Sequence, residues 1–159
     1  MSKDFERKLR DIFHAHNARM EQREREAAAE KKRQLESVMK MHNHLSKMIM
    51  PTLRELAVGI HSAGQRASVV ETGPMGSAET STAQVKITII PRGYDTADPN
   101  ELPRLLFQSS PSGITVTEYA HFPGSGGHSS TTQAYMPEEL GPEKIEAFLI
   151  ALVKQTFNR

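Results

Sequence analysis

Seven histidines are the side chains of this sequence best suited to metal or acid–base chemistry: His14, His16, His42, His44, His61, His121 and His128. Two pairs have the form His-x-His. On a helix, side chains two positions apart diverge by about 200°, so one such pair does not chelate one ion. Helical chelation uses positions i and i+4. We therefore predict no metal site and expect solvated or packed histidines, with pH sensitivity if His42 met its mate in an oligomer.

A Gly-rich stretch at residues 123–130 is the second candidate for chemistry. A phosphate-binding Walker loop requires Gly-Lys-Ser/Thr leading into a helix, and this stretch has no Lys and lies between predicted strands. The segment Gly124-Ser125-Gly126 also lacks the Gly-x-Ser-x-Gly spacing of a hydrolase. We interpret the stretch as a hairpin tip, and we predict no enzyme, no catalytic residue and no cofactor.

Six basic side chains fall within residues 19–33, ahead of a heptad pattern, as in a DNA-binding basic region with its zipper: Arg19, Arg23, Arg25, Lys31, Lys32 and Arg33. Four glutamates interleave with them, at positions 21, 24, 26 and 30. Mixed charge makes a poor track for phosphates, and the whole chain has a net charge of only +1. Nucleic-acid binding through this segment is therefore the alternative function.

The chain falls into two parts of different composition. All ten Gly and all nine Pro lie after residue 50, while the first 50 residues carry 12 Lys and Arg against 8 Asp and Glu. Gly and Pro disfavour helices, whereas Lys, Arg, Glu, Met and Ala favour them. We predict an α+β protein: a long coiled-coil helix over residues 1–50, then a small antiparallel sheet with flanking helices over residues 51–159.

Two apolar stripes with helical spacing occur on the predicted long helix, and we predict a different role for each. The better stripe predicts an oligomer seam formed by Val38, Met41, Leu45, Met48, Ile49 and Leu53. Packing of this stripe on the chain's own globular part is the alternative. The other stripe, at the N-terminal tip, is a possible docking point for a partner protein: Phe5, Leu9, Ile12 and Phe13. Acidic neighbours make membrane binding by this tip a minor alternative.

Pro51 indicates either a kinked helix that continues or a second helix that begins there. We expect a helix over residues 51–63 with Gly64 as its C-cap, then four or five strands and a final helix over residues 141–158. Alternating residues predict strands at 85–89 and 114–119, with weaker ones at 67–71, 105–110 and 129–135.

These features together predict a non-enzymatic interaction or scaffold protein. We expect a homo-oligomer, a dimer above all, in which a parallel pair of helices presents two α+β heads and a further protein partner docks. No apolar run approaches the roughly 18 residues of a membrane span. The charged N-terminal residues do not resemble a signal peptide, and the chain has no Cys. We therefore expect a cytoplasmic protein.

Overall fold

One helix runs from Lys3 to Ser62 in the computed structural model, which describes residues 2–122 and 130–158. It comprises α1 (Lys3–His44), a π-helical turn (Leu45–Ile49) and α2 (Met50–Ser62). The side chain of Ser2 caps its start by accepting a hydrogen bond from the Phe5 amide. Its end is a Schellman motif, in which Gly64 has a φ of +92° and the Gln65 amide donates to the Ile60 carbonyl.

Pro51 lies inside this helix without ending it. A proline has no amide hydrogen, and its ring crowds the carbonyl one turn earlier. The π-helical turn directly before it is wider, with the Met50 amide donating to the Leu45 carbonyl five residues back. The Thr52 hydroxyl also donates to the Met48 carbonyl at 2.7 Å. The predicted junction near Pro51 is therefore an interior position of one continuous helix.

Five antiparallel strands follow, each paired with its neighbour in sequence in the order β1-β2-β3-β4-β5. They are β1 (Arg66–Met75), β2 (Thr82–Ile90), β3 (Arg104–Ser110), β4 (Gly113–Tyr119) and β5 (Ser130–Tyr135). The last element is α3 (Pro142–Phe157). This architecture confirms the predicted α+β class. The predicted Gly-rich hairpin tip at residues 123–129, which includes His128, lies outside the described residues.

One face of the sheet carries the core. Along β2 the side chains of Ala83, Val85, Ile87 and Ile89 are buried, and in the strand register Val85 lies opposite Phe107, which lies opposite Val116. The C-terminal part of the long helix and α3 contribute to the same apolar cluster. On the opposite face, the described side chains of β2 and β3 are mostly polar and half-buried.

The long helix buries its stripe on the chain's own sheet and α3. Five side chains of this core stripe are each at most 3% exposed: Val38, Met41, Leu45, Ile49 and Leu53. Met48, the sixth predicted seam residue, is half-buried against the same cluster. The stripe is therefore buried within one chain, as in the alternative packing on the chain's own globular part, because the sheet follows in the same chain and offers a complementary apolar face.

Truncation of the core stripe tests this packing. We expect Leu45→Ala or Ile49→Ala to lower the free energy of unfolding by about 2–5 kcal/mol, since each leaves a cavity in a dense core. Urea unfolding followed by circular dichroism measures the change. Val58→Ala, a truncation at a 67% exposed position of the same helix, is the control and should cost less than about 0.5 kcal/mol. Equal effects at both places would contradict the packing described.

Candidate interaction surfaces

The first 32 residues of the long helix extend beyond the globular unit. In this arm, defined as residues 3–34, every residue is exposed except Leu9, which is half-buried. At about 1.5 Å per residue the arm is about 48 Å long. A helix of this kind has no core of its own, so its apolar side chains remain in contact with water.

The predicted docking residues all lie on the arm. Phe5 is 48% exposed, Ile12 60% and Phe13 59%. Met20, about two helical turns after Phe13, is 41% exposed. Leu9 lies between Phe5 and Ile12 on the same side of the helix. The structure therefore brings the four predicted residues together into one surface, which we call the arm stripe and to which Met20 also belongs.

The six basic residues of the alternative function also lie on the arm and are exposed. Two of them form ion pairs with carboxylates: Lys31 with Glu79 at 3.2 Å and Arg33 with Glu30 at 2.7 Å. The interleaved glutamates are exposed as well, so this surface presents both signs of charge. An all-positive groove or face, as phosphate binding requires, is not formed by the six side chains.

Three polar contacts hold the helix where it leaves the globular unit. The Ser37 hydroxyl donates to the Pro111 carbonyl at 2.6 Å, in the turn between β3 and β4. Lys40 Nζ lies 2.5 Å from a carboxylate oxygen of Glu138, and this hydrogen bond is the main reason that the pKa of Glu138 is lowered. Together with the Lys31–Glu79 pair, these contacts join the helix to the rest of the chain at three positions between residues 31 and 40.

A polar network missed by the sequence analysis lies between the helix and the sheet. His42 Nε2 is 2.9 Å from Ser81 Oγ, and His42 Nδ1 is 2.9 Å from Ser109 Oγ. Ser109, buried on β3, also accepts a hydrogen bond from the Ala83 amide. Ser81 directly precedes β2 and Ser109 lies on β3, so only the pairing of these two strands places both serines around one imidazole.

Burial lowers the pKa of His42. Its two partners are neutral hydroxyls, which provide no negative charge to stabilise the imidazolium. The second member of the pair, His44, contacts a different group, with its Nε2 2.8 Å from the Leu140 carbonyl. The two imidazoles thus serve separate structural contacts. Within residues 2–122 and 130–158, no group of three or more potential metal ligands is found.

The face of the sheet opposite the core is a second candidate surface. The guanidinium of Arg104 on β3 stacks over the ring of Tyr119 on β4, with 3.8 Å from Cζ to the ring centroid. Burial is the main cause of the lowered pKa of Arg104. Half-buried Gln84, Lys86 and Gln108 continue this face across β2 and β3. Alternation along the strands predicted two-faced strands, but the sequence did not identify this surface.

No family model, curated protein or solved structure matches this chain. Among the helices in the described part of the chain, none combines the length and apolar character that crossing a bilayer requires.

The His42 network makes stability depend on pH. The unfolded chain takes up a proton near the ordinary histidine pKa of 6.5, whereas folded His42 does so only at lower pH. The free energy of unfolding should therefore decrease as the pH falls below about 6.5, until the pKa of the folded state is passed. His42→Gln retains a hydrogen-bonding side chain that does not titrate, and it should show a smaller decrease in urea unfolding.

His14→Gln, on the exposed arm, is the matched control and should retain the wild-type pH dependence. If His42→Gln also loses stability as steeply as the wild type between pH 7.5 and 5.5, the assignment to His42 is wrong.

Proposed function

We propose that this chain is a non-enzymatic interaction or scaffold protein that associates with a second copy through its long helix and presents its α+β units as heads. The observation that carries the proposal is the arm, a helix projecting from a folded unit with a contiguous apolar stripe in water. The stripe that would form the contact is the arm stripe. The core stripe at residues 38–53 is already covered by the sheet and α3.

The energetics favour a covered arm. Complete burial of an apolar side chain of the size of Phe, Leu, Ile or Met gains on the order of 1.5–3 kcal/mol relative to exposure. Isolated helices are marginally stable in water, and most of their stability in proteins comes from packing an apolar face. A second helix packed on the arm stripe would bury these apolar side chains and also stabilise the helical conformation of the arm. Salt bridges along the arm add only tenths of a kcal/mol each.

The head fits the role of a presented unit. The sheet face opposite the core, with Arg104 over Tyr119 and the polar side chains beside them, is a surface on which a further partner protein could be recognised. Among the strands that the structure describes, β1 and β5 lie at the two edges of the sheet, and each pairs with a strand on one side only. Because the chain has no Cys that an oxidising compartment would crosslink, we keep the cytoplasm as the proposed location.

Nucleic-acid binding through residues 19–33 has less support. Four glutamates lie among the six basic residues, and Lys31 and Arg33 are engaged by carboxylates. Fluorescence anisotropy with a DNA duplex and with an RNA oligonucleotide, at two salt concentrations, separates the two functions. Tight binding that weakens steeply with salt would favour the alternative, and weak binding would leave the scaffold proposal as the better one.

Sedimentation equilibrium over a hundredfold concentration range tests the self-association. We expect the wild type to exceed the monomer mass of 17.7 kDa at the higher concentrations. The double variant Ile12→Glu/Phe13→Glu places two charges in the arm stripe and should weaken association at least tenfold.

The matched control is Ala18→Glu/Ala29→Glu, which adds the same charge on the opposite side of the arm and should associate like the wild type. A wild-type protein that remains a monomer throughout, or a control as weakened as the stripe variant, would contradict the proposal.

A further inference from the structure

The arm stripe and the core stripe lie on the same side of one helix. α1 is unbroken from Lys3 to His44, so at about 100° per residue the direction of each side chain follows from its number. Phe5, Leu9, Ile12 and Met20 fall within a sector of about 80°, and Val38 and Met41, which lie on the sheet, fall within the same sector. The globular unit therefore sits on the side of the helix toward which the arm stripe points.

This shared direction excludes the parallel dimer that the sequence predicts. Parallel pairing along the arm stripe would place two helix axes about 8–10 Å apart, each with its stripe toward the other. Past residue 34 each helix would carry its own sheet in the gap between them, so the two heads would occupy one volume. The helices have no break before the π-helical turn at which they could diverge.

An antiparallel pair avoids this overlap and matches apolar side chains. With the two-fold axis between residues 12 and 13, Ile12 of each copy faces Phe13 of the other at the centre. On either side Leu9 faces His16 of the second copy, and at each end Phe5 faces Met20. This register covers all five residues of the arm stripe in each copy.

The same register keeps each arm clear of the other head. Residue 3 of one copy lies opposite residue 22 of the other, about 13 Å short of the level at which Lys31 meets Glu79. Residue 38 of one copy would lie about 75 Å along the rod from residue 38 of the other. In this register Arg19 lies beside Phe5 of the second copy, a cation–aromatic contact, whereas parallel pairing would bring each Arg23 toward its own counterpart.

We propose that two copies of this protein pair antiparallel through residues 5–20 of their arms. The two heads then lie at opposite ends of one rod. This inference rests on the proposed self-association and adds to it the contact residues, the direction and the register. It makes the assembly a spacer between two identical heads, where a parallel pair would place the heads side by side.

Spin labels on the full-length chain test the direction, since the chain has no Cys of its own and one substitution gives one label. Ala18 and Ala29 lie on the same side of the arm, opposite the arm stripe, and both are exposed. In the antiparallel pair the label-to-label distance should be about 30 Å for Ala18→Cys and about 55 Å for Ala29→Cys. In a parallel pair the two distances would be nearly equal, which would overturn the inference.

The Ile12→Glu/Phe13→Glu substitutions, added to each labelled variant, should abolish both distances. Distances that persist in these variants would show association elsewhere and would refute the register. Sedimentation of the labelled proteins distinguishes the two proposals. A monomer with no defined distance would refute the self-association itself, whereas a dimer with equal distances would refute only the antiparallel arrangement.

Discussion

The contact between the helix face at residues 38–53 and the sheet is the interaction on which the rest of this structure depends. It joins a segment that precedes the sheet to strands β2 and β3 and to α3, so the core consists of residues far apart in sequence. Its apolar side chains are almost completely buried. Because they are buried within the fold, the proposed association uses the part of the helix that the sheet does not reach.

Because the helix is continuous, its packing on the sheet also fixes the side-chain directions of the arm. A helix without a break keeps its side-chain directions over its whole length, so the placement of Val38 and Met41 on the sheet also determines where the residues of the arm stripe point. The π-helical turn accommodates Pro51 and lies after the arm, so it does not alter this relation. Ser37, Lys40 and Lys31 hold the exit of the helix against the globular unit.

Histidines show how polar residues serve the fold here. His42 and His44 form part of a sequence pattern that suggests metal chemistry, yet each imidazole contacts a different segment: His42 the serines at the helix–sheet interface, and His44 the carbonyl before α3. Hydrogen bonding satisfies polar groups that the packing of the helix would otherwise desolvate without compensation. The pH dependence expected from His42 therefore belongs to the folding of the chain, where burial lowers the pKa of this imidazole.

Local pattern alone predicted a helix over the first 50 residues, four or five antiparallel strands, the Gly64 cap and an apolar N-terminal tip, because helical and strand periodicity and the breakers Gly and Pro act over a few neighbouring residues. Only the tertiary structure decided what covers Val38, Met41 and Leu45, since a sheet and a second helix satisfy the same periodic stripe equally well. The serines around His42 likewise come together only when distant segments meet in the folded chain. The spacing of residues along the chain does not show which surfaces meet in the folded protein.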